Sequence, residues 1–240
     1  MLNHTERVVL LVAAFQCCAL SAMAQQALLS RDPAPPSPDK MEAIQILQKE
    51  TPIYVTEKRG PWEGEVGGPL RAGAKEIGFQ MGYAPSIRIG GTQNNYTFAF
   101  ANPRFGYVFT DLIGDDVCGG FLKGNGEVVI EGLFGMGLKN VHGATEGLAL
   151  NYKHNFITGT RFVPFFELGL GLSMNQWHIY ETQSDFEFIT QIGAGLQYFF
   201  TDDWALILQG RWHHMSNAGL TKPNPGLNDI MGTAGLTHFF

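Results

Sequence analysis

Trp204-Ala-Leu-Ile-Leu-Gln-Gly-Arg-Trp-His-His-Met-Ser216 is the stretch from which the fold can be read. Its even positions are Trp204, Leu206, Leu208, Gly210 and Trp212, and its odd positions are Ala205, Ile207, Gln209, Arg211 and His213. Alternation with a period of two is the mark of a strand with two unlike faces. The even face is apolar, whereas the odd face becomes polar. His214 and Ser216 continue the even face, two residues apart, and a histidine beside a serine can act as base and nucleophile. Such a pair on an apolar surface needs an explanation from the rest of the chain.

Working outward, the same alternation recurs from Ala74 to the end. In Lys75–Ile87, Ile77, Phe79, Met81 and Tyr83 alternate with Glu76, Gly78, Gln80 and Gly82. In 95–111, Tyr96, Phe98 and Phe100 share a face and Pro103 interrupts the middle. In 127–139 the shared face is Val128, Ile130, Phe134, Met136 and Leu138. In 146–157, Leu148, Leu150 and Tyr152 oppose Asn151, Lys153 and Asn155. In 160–174, Phe162, Phe166, Leu168, Leu170 and Leu172 oppose Glu167, Gly169 and Gly171. In 186–200, Ile192, Ala194, Leu196 and Tyr198 oppose Gln191, Gly193, Gly195 and Gln197. The seventh strand is 203–216. The eighth, 228–240, sets Ile230, Ala234, Leu236 and Phe240 against Asp229, Thr233 and Thr237.

Eight strands of this length, joined by turn signals at Gly143-Ala144, Thr158-Gly159 and Thr201-Asp202, imply an all-β chain. Each is long enough to cross a bilayer when tilted, which takes roughly 9–11 residues. The expected fold is an eight-stranded antiparallel transmembrane β-barrel over residues 74–240, because a closed sheet satisfies all its backbone hydrogen bonds without water. A barrel of eight strands is just filled by its inward side chains. The polar face should therefore form a packed lumen, with Glu167 paired to Arg211 or Lys153, because buried charges must be paired. Aromatic residues near strand ends (Tyr83, Tyr152, Phe156, Trp177, Tyr198, Phe199, Trp204, Trp212) read as interfacial girdles. The soluble alternative, a lipocalin-like barrel with its apolar face inward around a ligand, would not need them.

The N-terminal third differs in composition. Apolar residues 8–15 and 17–22 follow Arg7 and end in Ala22-Met-Ala24, so 1–24 reads as a secretory signal peptide. The alternative, a membrane anchor, requires a longer run than this one, which Gln16 interrupts. Residues 25–73 read as a partly disordered periplasmic arm containing the proline-rich Asp32-Pro-Ala-Pro-Pro-Ser-Pro38. Of three cysteines only Cys118 lies beyond the signal, so no intramolecular disulfide is expected. A net charge of −6 gives no reason to expect a nucleic-acid partner, and 30 glycines with 18 phenylalanines suit a β-rich chain. The histidines show no metal-ligand spacing. Neither a metal nor an organic cofactor is expected, and nothing excludes a homodimer.

Short turns in such barrels face the periplasm and longer loops face outward. The 216/228 end then lies at the outer leaflet of the outer membrane, and a catalyst on the apolar face would act on a lipid. His-x-Ser-Asn-Ala-Gly (214–219) followed by Asn224-x-Gly226 resembles the outer-membrane lipid A 3-O-deacylase family (PagL). Pro164-Phe-Phe-Glu-Leu-Gly-Leu-Gly171 is similar to a family segment as well. The resemblance covers about residues 75–240 and is densest over 211–228. It implies a barrel esterase that removes the ester-linked 3-O-acyl chain of lipid A in lipopolysaccharide, among outer-membrane lipids. By that resemblance Ser216 is the nucleophile and His214 the general base. Asn217, Ala218 and Gly219 would offer backbone N–H groups to an oxyanion, and Asn224 and Gly226 would shape the loop, the Asn224 amide helping. The chain departs from the family at the third member, where Asn228 stands in place of a glutamate. An asparagine oxygen can hold the imidazole tautomer but brings no full charge. Either a slower hydrolase or a relative that has lost the reaction is expected. Parity turns the neighbouring Asp229 inward, so its use would require a bulge. The reading from a different class is a non-enzymatic barrel with a structural or partner-binding role.

Overall fold

A computed structural model describes residues 68–240 apart from 115 and 116. The expected signal peptide and all of the arm before residue 68 lie outside the described residues. The strands are β1 (Lys75–Pro85), β2 (Thr97–Val108), β3 (Gly124–Lys139), β4 (Ala144–Phe156), β5 (Phe162–Asn175), β6 (Phe186–Phe199), β7 (Trp204–Ser216) and β8 (Leu227–Phe239). A single short 3₁₀ turn, Val117–Gly120, interrupts the β2–β3 connection among the described residues. The strands close in sequence order, and β1 pairs antiparallel with β8, so the sheet has no edge.

Burial alternates along every strand in the manner of an inside-out barrel. On β7 every odd residue from Ala205 to Met215 is buried, while the even residues face outward, exposed up to Gly210 and half-buried from Trp212. Ile77, Phe79, Met81, Leu148, Leu150 and Leu170 stand exposed on the outside. This is the arrangement of a membrane-spanning barrel, whose exterior faces hydrocarbon and whose interior is polar.

The interior is sealed in three layers. At the end carrying Lys75 and Phe239, Val108, Val163, Phe199, Ala205 and Phe239 close the lumen together with Leu70, which precedes β1. At the opposite end, Phe98, Phe100, Trp177, Met215, Leu227 and Met231 form a second apolar plug, with Phe98 and Trp177 rings 4.7 Å apart. Between the plugs lies a layer of charge. Arg104 reaches Glu131 at 3.0 Å and Glu167 at 2.6 Å, and Arg211 reaches Glu131 at 2.7 Å. Lys153 lies 2.5 Å from Glu76 and 3.1 Å from Glu127, and it also donates to Gln197.

Three readings of the sequence change here. Glu167 pairs most closely with Arg104, whereas Arg211 is 3.8 Å away. Arg104 escapes a parity reading because Phe98 and Phe100 share its face, and that face is inward. The two phenylalanines belong to the plug, as do Trp177 and, at the other end, Phe199, which an aromatic-girdle reading places outside. Pro103 does not interrupt β2. It faces outward, pairs with Phe79 on β1, and drops out with Asn102 from the ladder to β3. Gly132 makes room for its ring, since a Cβ there would lie 3.1 Å from Pro103 Cγ.

Breaking a buried pair leaves an uncompensated charge and costs about 3–5 kcal/mol, whereas exposed pairs contribute about 0–1 kcal/mol. Arg104→Met is therefore expected to destabilise the barrel by about 3–5 kcal/mol in urea unfolding from lipid vesicles. Removing the exposed Arg161–Asp202 pair (2.8 Å) with Arg161→Ala should change stability by about 1 kcal/mol or less.

Candidate active site on the outer wall

β7 carries Trp212, His214 and Ser216 in succession on its outward face, and β8 lies beside it in regular register, with His214 opposite Asn228 and His213 opposite Asp229. No bulge disturbs this pairing. Asp229 points inward and bonds His213 Nδ1 at 3.0 Å, so it does not serve His214. Asn228 points outward, as its parity requires, and is 2 % exposed because the β1–β2 loop covers it.

The Asn228 side-chain oxygen accepts from Trp212 Nε1–H at 3.1 Å and lies 2.9 Å from His214 Nδ1. An indole nitrogen can only donate. The Asn228 atom it meets is therefore the oxygen, and His214 Nδ1 must carry the hydrogen it shares with that oxygen. In the neutral ring this leaves Nε2 as the basic nitrogen, and Nε2 has no hydrogen-bond partner among the described residues. The Trp212 ring stacks on the imidazole at 5.6 Å and 20°. Gly226 (φ +80°) also brings its backbone close to the ring, and a Cβ there would stand 2.7 Å from His214 Cε1. The imidazole is thus packed by an indole and a glycine, with one nitrogen oriented and the other unbonded among the described residues.

Ser216 lies on the same outward face, half-buried. Its hydroxyl makes no hydrogen bond among the described residues, to His214 or to any other group. The expected Ser216–His214 contact of a poised nucleophile and base is therefore not formed. Residues two apart on one strand face are separated by about 6.6 Å of backbone rise, so a rotamer change or a substrate must bring the two groups together.

The loop after Ser216 uses part of its donor set internally. Asn217 N–H donates to Asn224 Oδ1 at 3.1 Å, and Gly219 N–H donates to Asn217 Oδ1 at 2.9 Å. Two of the expected oxyanion donors are thus committed to the turn. The Ala218 N–H and the Asn224 side-chain N–H₂ make no bond among the described residues. Ala218 sits in the left-handed region (φ 53°), an uncommon conformation for a residue with a Cβ, and the turn just described holds it there.

Several contributors were not legible from local pattern. Thr92 accepts the Asn228 backbone N–H at 2.8 Å across 136 residues of sequence. Glu181, fully buried in the β5–β6 loop, accepts from the Gln93 and Asn94 backbone N–H groups, the Asn94 amide and the Tyr96 hydroxyl. Its backbone carbonyl also takes the Gly226 N–H. Burial raises the Glu181 pKa, but those donors outweigh it and hold the carboxyl below its ordinary value. Burial, with the Glu181 charge, pushes the Tyr96 phenol up to about 12, so it stays a donor. Three loops thus converge on the glycine that packs the imidazole. Among the described residues no group of three or more His, Cys, Asp or Glu could hold a metal.

The outer wall of this membrane-type barrel thus carries an oriented histidine and a serine on one face, the residue types of a base and a nucleophile. Residues 123–237 match the family model described as lipid A 3-O-deacylase (PagL), and that span contains His214, Ser216 and Asn228. The resemblance carried by the 214–226 motif thus extends over six strands. Similar solved structures include the outer membrane enzyme PagL (16 % identity, TM-score 0.48, covering 67 % of this chain and 97 % of that one). Neisserial surface protein A is similar as well (14 %, 0.48, 70 % and 99 %), as is Ail of Yersinia pestis (12 %, 0.44, 70 % and 99 %). Similarity at this level concerns the barrel alone. No curated protein matches the sequence.

The Glu181 bonds favour its ionised form, so their stabilisation is complete above the ordinary carboxylate range and is lost as pH falls through the lowered folded value. Hydrogen exchange at the Gln93 and Asn94 amides should stay slow from neutral pH down through that range and quicken only below it. Glu181→Gln should remove the pH dependence and leave both amides fast at neutral pH.

Proposed function

We propose that this chain is an outer-membrane esterase that removes the ester-linked 3-O-acyl chain from lipid A of lipopolysaccharide. The observation that carries this reading is the outward His214–Asn228 pair, with its second ring nitrogen unbonded among the described residues and Ser216 two residues on along the same face. The family match supports the substrate class. The proposal includes export by the 1–24 signal peptide and a site at the outer leaflet, the side on which long loops of such barrels lie.

In this mechanism His214 Nε2 takes the Ser216 proton as the hydroxyl oxygen attacks the ester carbonyl. The tetrahedral oxyanion is met by the Ala218 N–H and the Asn224 amide. Collapse breaks the ester bond, and the imidazolium returns the proton to the sugar hydroxyl that leaves. Water then attacks the acyl-serine by the same route, releasing the fatty acid. Asn228 keeps Nδ1–H in place throughout. Having no charge, it stabilises the imidazolium less than a carboxylate would, so turnover should be slow.

One observation favours the non-enzymatic reading: Ser216 and His214 are not bonded to each other. Mass spectrometry of lipid A separates the two. Cells expressing the wild type should lose one hydroxyacyl chain, and Ser216→Ala should reduce that loss by about 10³-fold or more. Unchanged lipid A in both, with the protein folded in the outer membrane, would overturn the esterase.

A further inference from the structure

We infer that Thr92, on the loop between β1 and β2, is a positioning residue for His214, and that the site is built to hold an amide at position 228. The inference rests on the esterase reading for its kinetic consequence but on geometry for its substance. Every polar atom of the Asn228 side chain is used. Oδ1 meets two N–H donors, from Trp212 and His214. Nδ2 meets two acceptors, the Ile89 carbonyl at 3.0 Å and Thr92 Oγ1 at 3.1 Å. The backbone is fastened as well, because Ile87 N–H donates to the Asn228 carbonyl and Asn228 N–H donates to Thr92 Oγ1.

A carboxylate cannot make this set. It has no hydrogen to give, so an aspartate at 228 would turn one oxygen toward the Ile89 carbonyl and lose both Nδ2 bonds. The asparagine is thus matched to its surroundings, and restoring an acid there is not a repair.

Thr92 completes the arrangement. Its oxygen accepts twice, from the Asn228 N–H and the Asn228 side chain, and donates once, to the Gly226 carbonyl at 3.1 Å. One hydroxyl hydrogen and two lone pairs are thereby all spent. One buried hydroxyl therefore holds both the amide that aims Nδ1 and the glycine against which the ring lies. Thr92 falls outside the 123–237 span of the family match, so this support comes from a part of the chain that the match does not include.

The test uses the full chain folded in detergent micelles, with lipid A as probe and with ¹⁵N–¹H spectra of the His214 ring. Thr92→Val removes the hydroxyl at nearly constant shape, Thr92→Ser restores it, and Thr92→Ala serves if the valine variant misfolds. Thr92→Val should lower kcat about ten- to a hundredfold with KM nearly unchanged, as a small misplacement of a catalytic group does. Thr92→Ser should recover most of the rate, and Asn228→Asp should be slower than wild type. In the spectra the Nδ1–H signal should be protected in wild type and in Thr92→Ser and lost in Thr92→Val. If wild type leaves lipid A intact yet the signal follows this pattern, the esterase reading fails and the positioning role stands. A signal and rate unmoved by Thr92→Val, or a faster Asn228→Asp, would overturn the inference.

Discussion

A barrel that shows apolar side chains to its surroundings must find partners for its polar ones inside. Arg104, Lys153 and Arg211 are the cations of the central layer, and Glu76, Glu127, Glu131 and Glu167 bridge them across strands that are distant in sequence. Charges without water are tolerable only with such partners, because desolvation costs several kcal/mol for each ion. The apolar plugs above and below keep water from entering along the axis. Several of these pairs tie together strands that are not neighbours in the sheet, β1 to β4 and β2 to β5, across the lumen. These charges occupy the middle of the lumen, whereas the candidate site lies on the outer wall.

That placement explains the form of the candidate site. An imidazole on a lipid-facing surface has few neighbours to orient it, and here the orientation comes from three sources. The neighbouring strand supplies Asn228, the same strand supplies the Trp212 ring, and loops from elsewhere supply Gly226 and Thr92. The loops are themselves tied by the Glu181 carboxylate, which collects four hydrogen bonds and fastens the β1–β2 loop beside the β5–β6 loop. A neutral amide suits such a place better than an isolated carboxylate would. It needs no counter-ion near hydrocarbon, and it can bind acceptors on its far side.

Much of this was legible in the residues. The alternation in 204–216 already separates Arg211 and His213 from Trp212, His214 and Ser216, and the structure keeps that division. Parity also assigns Asn228 outward and Asp229 inward, and the regular β7–β8 register agrees. Reading failed where an inward face was itself apolar. Phe98 and Phe100 look like lipid-facing residues, and only their position at the mouth of the lumen makes them a plug. Trp177 and Phe199 misled for the same reason, since a strand-end aromatic can cap the interior as well as line an interface.

By itself the sequence determines what repeats locally: eight amphipathic strands, their faces, the turns between them, and the His-x-Ser pair on an apolar side. These follow from a period of two and from side-chain chemistry, which neighbouring residues carry. The tertiary structure decides whatever depends on distant partners. It sets Arg104 against Glu131 and Glu167, leaves Ser216 and His214 unbonded, and brings Thr92 to Asn228 across 136 residues. The physical reason is that hydrogen bonds and ion pairs act over about 3 Å in space, and strand register together with closure of the barrel brings those residues within that distance.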